Sequence, residues 1–145
     1  MADEERKVET TIEQAARRQI YLAITLLHRS EFEAAMTLAA AAEGMLPKPQ
    51  KPYLFPKLKA WAENLPEEEP GAKGLNDFAV WLKHGEAQKD KYAKATISEL
   101  EVVTMITRAI SKYLAVYDGI SPEMARFRDW AIERLQQSEK SGEDG

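Results

Sequence analysis

Two apolar stripes separated by a very short polar break constrain the fold of this chain most strongly. In both segments apolar residues recur at every third and fourth position, which places them on one face of an α-helix. The first stripe is Val8, Ile12, Ala15, Ala16, Ile20, Ala23, Ile24 and Leu27, and the second is Phe32, Ala35, Met36, Ala39 and Ala42. Only His28-Arg29-Ser30-Glu31 lies between the two helical patterns. Because this break is so short, the two helices must fold back on each other as an antiparallel hairpin.

Hydroxyl residues followed three positions later by glutamate predict where the helices begin, since the pair satisfies the free N–H groups of a first turn. Such capping boxes are Thr10-Thr11-Ile12-Glu13, Ser30-Glu31-Phe32-Glu33 and Thr96-Ile97-Ser98-Glu99. Ser121 followed by Pro122 predicts a fourth start, with serine as the cap and proline in the first turn. Gly44 and Pro47 end the second helix near Met45.

The remaining segments predict further helices and no strands. The helix opened by the third box runs through Tyr117, with Leu100, Val103, Ile106, Thr107, Ile110, Tyr113, Leu114 and Tyr117 on its inner face. The last helix turns Phe127, Trp130, Ala131 and Leu135 inward. Four prolines in residues 47–59 favour extended structure, followed by one or two short helices from Pro56 and from Leu75 to His84. The expected fold is all-α: an antiparallel four- to five-helix up-down bundle with one or two short extra helices.

A single domain of this kind suits the length and composition of the chain. The 145 residues can bury one sizeable core. We expect a flexible charged N-terminus at residues 1–9, the helical domain at 10–137 and a disordered tail at 138–145. The absence of cysteine excludes disulfides, and Met1 to Glu5 does not resemble a signal peptide. The apolar run Ala34 to Ala42 is too short to span a bilayer, so we expect a cytoplasmic protein without membrane contact.

The net charge of −4 argues against broad binding along a nucleic-acid backbone but leaves room for a local basic patch. One candidate is the proline-rich stretch 47–59, where Lys48, Lys51, Lys57 and Lys59 are interleaved with the aromatic residues Tyr53, Phe55 and, just beyond, Trp61. Lysines interleaved with aromatic rings suit single-stranded nucleic acid. The same stretch also suits a protein partner, or simple packing of its aromatic rings on the bundle.

His84 is the principal candidate for chemistry. It ends the segment Asn76-Asp77-Phe78-Ala79-Val80-Trp81-Leu82-Lys83-His84, in which Asn76, Val80 and His84 share one helical face. Neutral histidine can act as a base, and charged histidine can contact phosphate. The competing interpretation is that Lys83 and His84 interact only with the last carbonyls of a helix. The two histidines lie far apart without a ligand spacing, so neither a metal nor a cofactor is expected.

Glu43 is the second candidate, because it follows four alanines on a helix predicted to be largely buried. A carboxylate close to a core must be paired or hydrogen-bonded. Arg17 and Arg18 on the antiparallel first helix are the expected partners. A structural ion pair and a role beside His84 in a polar site are both open at this point.

Two of these stretches resemble the HEPN superfamily (higher eukaryotes and prokaryotes nucleotide-binding domains). Residues 30–46, with an acidic-aromatic start, an alanine run and Glu43, are similar to the second helix of a bacterial HEPN-like subgroup. Trp81-Leu82-Lys83-His84 is similar to the Leu-Lys-His ending of that subgroup. Arg108-Ala109-Ile110, Tyr113 and Met124-Ala125-Arg126-Phe127 with Trp130 also fit it. The resemblance implies a helical bundle, commonly a homodimer, that binds nucleotide or RNA.

The ribonucleases of that superfamily carry an arginine four to six residues before the catalytic histidine. That histidine corresponds to His84, but the arginine positions hold Ala79, Phe78 and Asp77. A methyl group cannot stabilise phosphate charge, so Lys83, Arg17, Arg18 or a partner subunit would have to supply the cation. The resemblance therefore favours a non-catalytic or degenerate nucleotide-, RNA- or protein-binding module. The alternative is a metal-independent endoribonuclease of a toxin–antitoxin or phage-defence system that uses His84.

Overall fold

The computed structural model describes residues 4–50, residue 82 and residues 96–143, and these contain four helices and no strand. They are α1 (Ile12–His28), α2 (Phe32–Met45), α3 (Glu99–Tyr117) and α4 (Pro122–Glu143). The prediction of an all-α protein is therefore confirmed for this part of the chain. Helix α1 packs chiefly against α2, α2 packs against α3, and α4 rests on α3 and α1.

The turn between α1 and α2 explains the tight hairpin and also corrects a prediction. The N–H of Ser30 donates to the carbonyl of Leu27, and the N–H of Glu31 donates to the carbonyl of Leu26, at 2.9 Å each. These two bonds close the end of α1 as a Schellman motif, which requires a left-handed residue. Ser30 takes that role with φ 61°. It cannot also adopt the extended backbone of an N-cap. The N-cap of α2 is instead Glu31, whose side chain makes no capping hydrogen bond, so the predicted capping box is wrong.

The other helix starts use the predicted chemistry with small shifts in position. Thr11, rather than Thr10, caps α1 by accepting from the N–H of Gln14. The capping box of α3 joins Ser98 to Glu101 and so lies two residues beyond the predicted one. Ser121 caps α4 as predicted, accepting from the N–H of Met124 at 3.2 Å.

The core lies between all four helices, and α3 is at its centre. The buried apolar residues of α1 and α2 are Ala16, Ile20, Ala23, Leu27, Ala35, Met36, Ala39 and Ala42. Helix α3 buries Val102, Val103, Thr104, Met105 and Ile106 in unbroken succession, so its neighbours cover far more than one face. The single inner face predicted for α3 is therefore too narrow. Leu114, which was assigned to that face, is 41% exposed.

The ends of the described helices depart from the expected boundaries. Val8 and Ile12 are 76% and 52% exposed, so the buried stripe of α1 begins only at Ala16. Helix α4 continues to Glu143, where a disordered tail from residue 138 was expected. The short helices predicted between α2 and α3 lie outside the described residues, apart from Leu82, which is helical and packs half-buried against the core.

Candidate functional site

The polar cluster that the fold assembles is centred on Glu43. Helix α2 brings this residue to its last turn, directly after the buried Ala42 and beside α3. The guanidinium Nη2 of Arg108 donates to Glu43 Oε1 at 3.2 Å. The exposed fractions of the two side chains are only 8% and 13%. A charge-assisted hydrogen bond with so little solvent access ties α2 to α3 at a defined position.

Lys112 completes the cluster one turn further along α3. Its ammonium Nζ donates to the main-chain carbonyl of Glu43 at 2.8 Å and lies 3.9 Å from Glu43 Oε1. That carbonyl belongs to the last turn of α2, where the helix itself offers no N–H partner. A cation at this end also interacts favourably with the negative end of the helix dipole. Lys112 therefore acts as a side-chain cap for α2.

The Glu43 partners are the main site residues that sequence reasoning missed. Arg17 and Arg18 were expected to pair with Glu43, but both side chains are exposed on α1 and the paired cations come from α3. A usable signal was present in the sequence. Arg108 and Lys112 stand four residues apart in a stretch that is otherwise nearly apolar, so both face one side and require an anionic partner there.

A second polar contact joins the start of α1 to the end of α3. The hydroxyl of Tyr113 donates to Glu13 Oε1 at 3.3 Å, and its ring lies 4.8 Å from that of Tyr117. Burial raises the pKa of the Tyr113 phenol, and the negative charge of Glu13 raises it further. Arg17 acts on this pKa in the opposite direction, because its positive charge favours the ionised phenol.

The end of α1 is fixed by aromatic packing. The ring of His28 meets the ring of Trp130 edge-on, with centroids 4.9 Å apart, and the ring of Phe127 packs on Trp130 in a tilted geometry with centroids 5.5 Å apart. Through this ring contact, His28 at the end of α1 packs on Trp130 of α4 and holds the two helices together.

The remaining predicted site residues, Asn76, Lys83 and His84, lie outside the described residues, as do most of residues 47–59. Within the described ranges, no three histidine, aspartate or glutamate side chains are grouped closely enough to hold a metal ion. In the same ranges, no helix is both long and apolar enough to cross a membrane.

Comparison with known proteins finds no matching family model, no matching curated protein and no matching solved structure. The likeness to HEPN domains therefore rests on the short motifs quoted above.

Proposed function

We propose that this protein is a HEPN-like helical bundle that acts as a non-catalytic binding module. The module is homodimeric and recognises a nucleotide, an RNA end or a protein. The observation that carries the proposal is the engagement of Glu43, the carboxylate of the resembling α2 motif. It is bound by Arg108 and Lys112 at the α2–α3 contact, with little access to solvent.

An engaged carboxylate of this kind is suited to holding helices and poorly suited to chemistry. A catalytic acid or base must exchange a proton with a substrate within hydrogen-bond reach. Glu43 Oε1 instead accepts from one cation and lies close to a second. The interpretation of Glu43 as a structural ion pair is supported by these contacts, and His84 lies outside the described residues.

The alternative of a metal-independent ribonuclease is tested by cleavage of RNA. Purified protein is incubated with labelled single-stranded RNA in EDTA, beside His84→Ala. His28→Ala is the matched control, because His28 is the other histidine and its ring packs on Trp130. The proposal expects no cleavage by any of the three proteins. Cleavage that is lost in His84→Ala and kept in His28→Ala would establish the enzyme and overturn the proposal.

The binding role is tested by thermal stability. A ligand that prefers the native state stabilises it, by about 2.7 kcal/mol at a concentration one hundred times its Kd. Nucleotides and short RNA oligomers are therefore screened for a rise in the melting temperature. Lys48→Ala, combined with the same change at Lys51, Lys57 and Lys59, shows whether the basic stretch contributes. If none of the ligands changes the melting temperature, recognition of nucleotide and RNA is refuted and protein recognition remains.

A further inference from the structure

Helix α2 has an apolar side on which residues stay exposed in the part of the chain that the structure describes. Its fourteen residues include polar side chains only at Glu33, Thr37 and Glu43. A helix that is apolar nearly all round is normally covered on all sides. Ala34 and Ala41 are nevertheless exposed, while Leu38 and Met45 beside them pack against the core with part of each side chain left exposed.

The open side of α2 is continuous with an apolar edge of α1. On α2, Glu43 marks the side that meets α3. On α1, Glu13 and His28 mark the side that meets α3 and α4. Helical periodicity places the exposed apolar residues on the opposite side of both helices. This outer face of the hairpin is formed by Ala15, Leu22, Leu26, Ala34, Leu38, Ala41 and Met45, of which Leu22 is 47% exposed.

Opposite charges border the outer face at the end where the chain turns. Arg29, directly after α1, lies on the α1 border, and Glu33, in the first turn of α2, lies on the α2 border. Both are exposed, and neither side chain forms an ion pair within the described residues. At the turn end of the hairpin, the outer face therefore has the positive charge of Arg29 on its α1 border and the negative charge of Glu33 on its α2 border, with apolar residues between them.

We propose that the outer face is the contact surface between two copies of this chain. A two-fold axis parallel to the hairpin lays α1 of one copy antiparallel on α2 of the other. Such an axis leaves the position of each residue along the hairpin unchanged and places the α1 border of one copy against the α2 border of the other. Arg29 therefore lies opposite the partner subunit's Glu33, and symmetry gives this contact twice in the dimer. The small side chains of Ala34 and Ala41 allow the helices to approach closely. This inference rests on the homodimer of the proposed function, to which it assigns a contact surface, and on no other part of that function.

The size of the face fits a dimer that dissociates on dilution. Helix α1 is ~25 Å long, and two adjacent helices of ~10 Å diameter together span ~20 Å, so the face measures ~500 Å² in projection. Two copies then bury on the order of 1,000 Å², which is near the lower bound for a specific interface. We therefore expect a dimer at high micromolar concentration that passes to monomer on dilution.

The experiment is analytical ultracentrifugation of the full chain over a range of concentrations. Leu22→Glu places a charge at the middle of the contact, and we expect the dimer Kd to rise about tenfold or more. Tyr21→Glu is the matched control, because Tyr21 is its neighbour on α1, is 52% exposed and lies about 100° around the helix from Leu22, off the outer face. It should leave the Kd unchanged. A wild-type protein that is monomeric at every concentration, or a dimer that Leu22→Glu leaves intact, would overturn the proposal.

The orientation is tested by exchanging charges. Arg29→Glu and Glu33→Arg each bring like charges together at two symmetric places, so each should raise the Kd about tenfold. The double variant restores the opposite pairing and should return the Kd to near the wild-type value. A double variant as weak as the single ones would refute the arrangement. Circular dichroism confirms that each variant is folded at the assay temperature. None of these outcomes depends on RNA cleavage, so a failure of the dimer arrangement is distinguishable from a failure of the proposed non-catalytic function.

Discussion

Replacing Glu43 with glutamine tests the energetic role of the cluster between α2 and α3. The substitution keeps the shape of the side chain but removes its charge, and it leaves Arg108 with little solvent to compensate. A hydrogen bond to a charged group contributes about 1.5–3 kcal/mol, and removing one partner of a fully buried ion pair costs about 3–5 kcal/mol. Glu43 retains 13% exposure, and Lys112 still donates to its main-chain carbonyl. We therefore expect a loss of about 2–3 kcal/mol.

The assay is equilibrium unfolding in urea, supported by thermal melting. For a chain of this size, 1 kcal/mol corresponds to about 3 °C, so the melting temperature should fall by about 6–9 °C. Glu99→Gln provides the control, because Glu99 pairs with Arg134 at only 2.9 Å but both side chains are well exposed. Exposed pairs contribute about 0–1 kcal/mol. Added salt should weaken the Glu99 contribution and leave the Glu43 contribution nearly unchanged, since little-exposed pairs are less screened.

A double-mutant cycle then assigns the loss to the pair. Glu43→Gln and Arg108→Met are made singly and together, and the expected coupling is about 1–2 kcal/mol because the two groups are in direct contact. Equal losses for Glu43→Gln and Glu99→Gln, or a coupling near zero, would refute the conclusion that burial makes this pair important.

Two further predictions concern single residues outside the cluster. Ser30→Gly should stabilise the protein by about 0.5–1 kcal/mol, because relief of the left-handed strain at φ 61° outweighs the greater conformational entropy of the unfolded chain. Urea unfolding measures this gain in the free energy of unfolding. An unchanged free energy would show that the turn is not strained. Burial raises the pKa of Glu101 above its ordinary value of 4.5, so its contribution to stability is present below pH 4.5 and lost as the pH rises through the folded pKa. Glu101→Gln keeps the acceptor for the Ser98 N–H but removes the titrating carboxyl. The melting temperature of the variant minus that of the wild type should therefore rise from acidic to neutral pH. A difference that stays constant with pH would contradict the raised pKa of Glu101.

Local chemistry made most of the helices predictable. Three-four apolar spacing and hydroxyl caps depend only on neighbouring residues, so the existence of α1, α2, α3 and α4 followed from the sequence. Errors arose where two local preferences competed for one residue. Ser30 fitted an N-cap for α2, but the short turn required it in the left-handed conformation that ends α1.

The partners of Glu43 were harder to predict, because contacts between distant segments depend on how helices are placed around each other. Arg108 is 65 positions away in the chain and Lys112 is 69. The sequence did indicate that a carboxylate beside an alanine run needs a cation, but it favoured the adjacent helix α1. Only the position of α3 at the centre of the core decided otherwise.

The sequence by itself therefore determined an all-α chain, a tight α1–α2 hairpin and the need to neutralise Glu43. Each of these follows from helical periodicity, from turn length or from the cost of burying a charge, all of which act over a few residues. Within the described residues, the tertiary structure decided which cations meet Glu43, that α3 is covered on most sides, and that Leu22, Ala34 and Ala41 on the outer face of the hairpin stay exposed. Those features depend on the packing of whole helices, where several arrangements satisfy the same local pattern and only the complete core selects one.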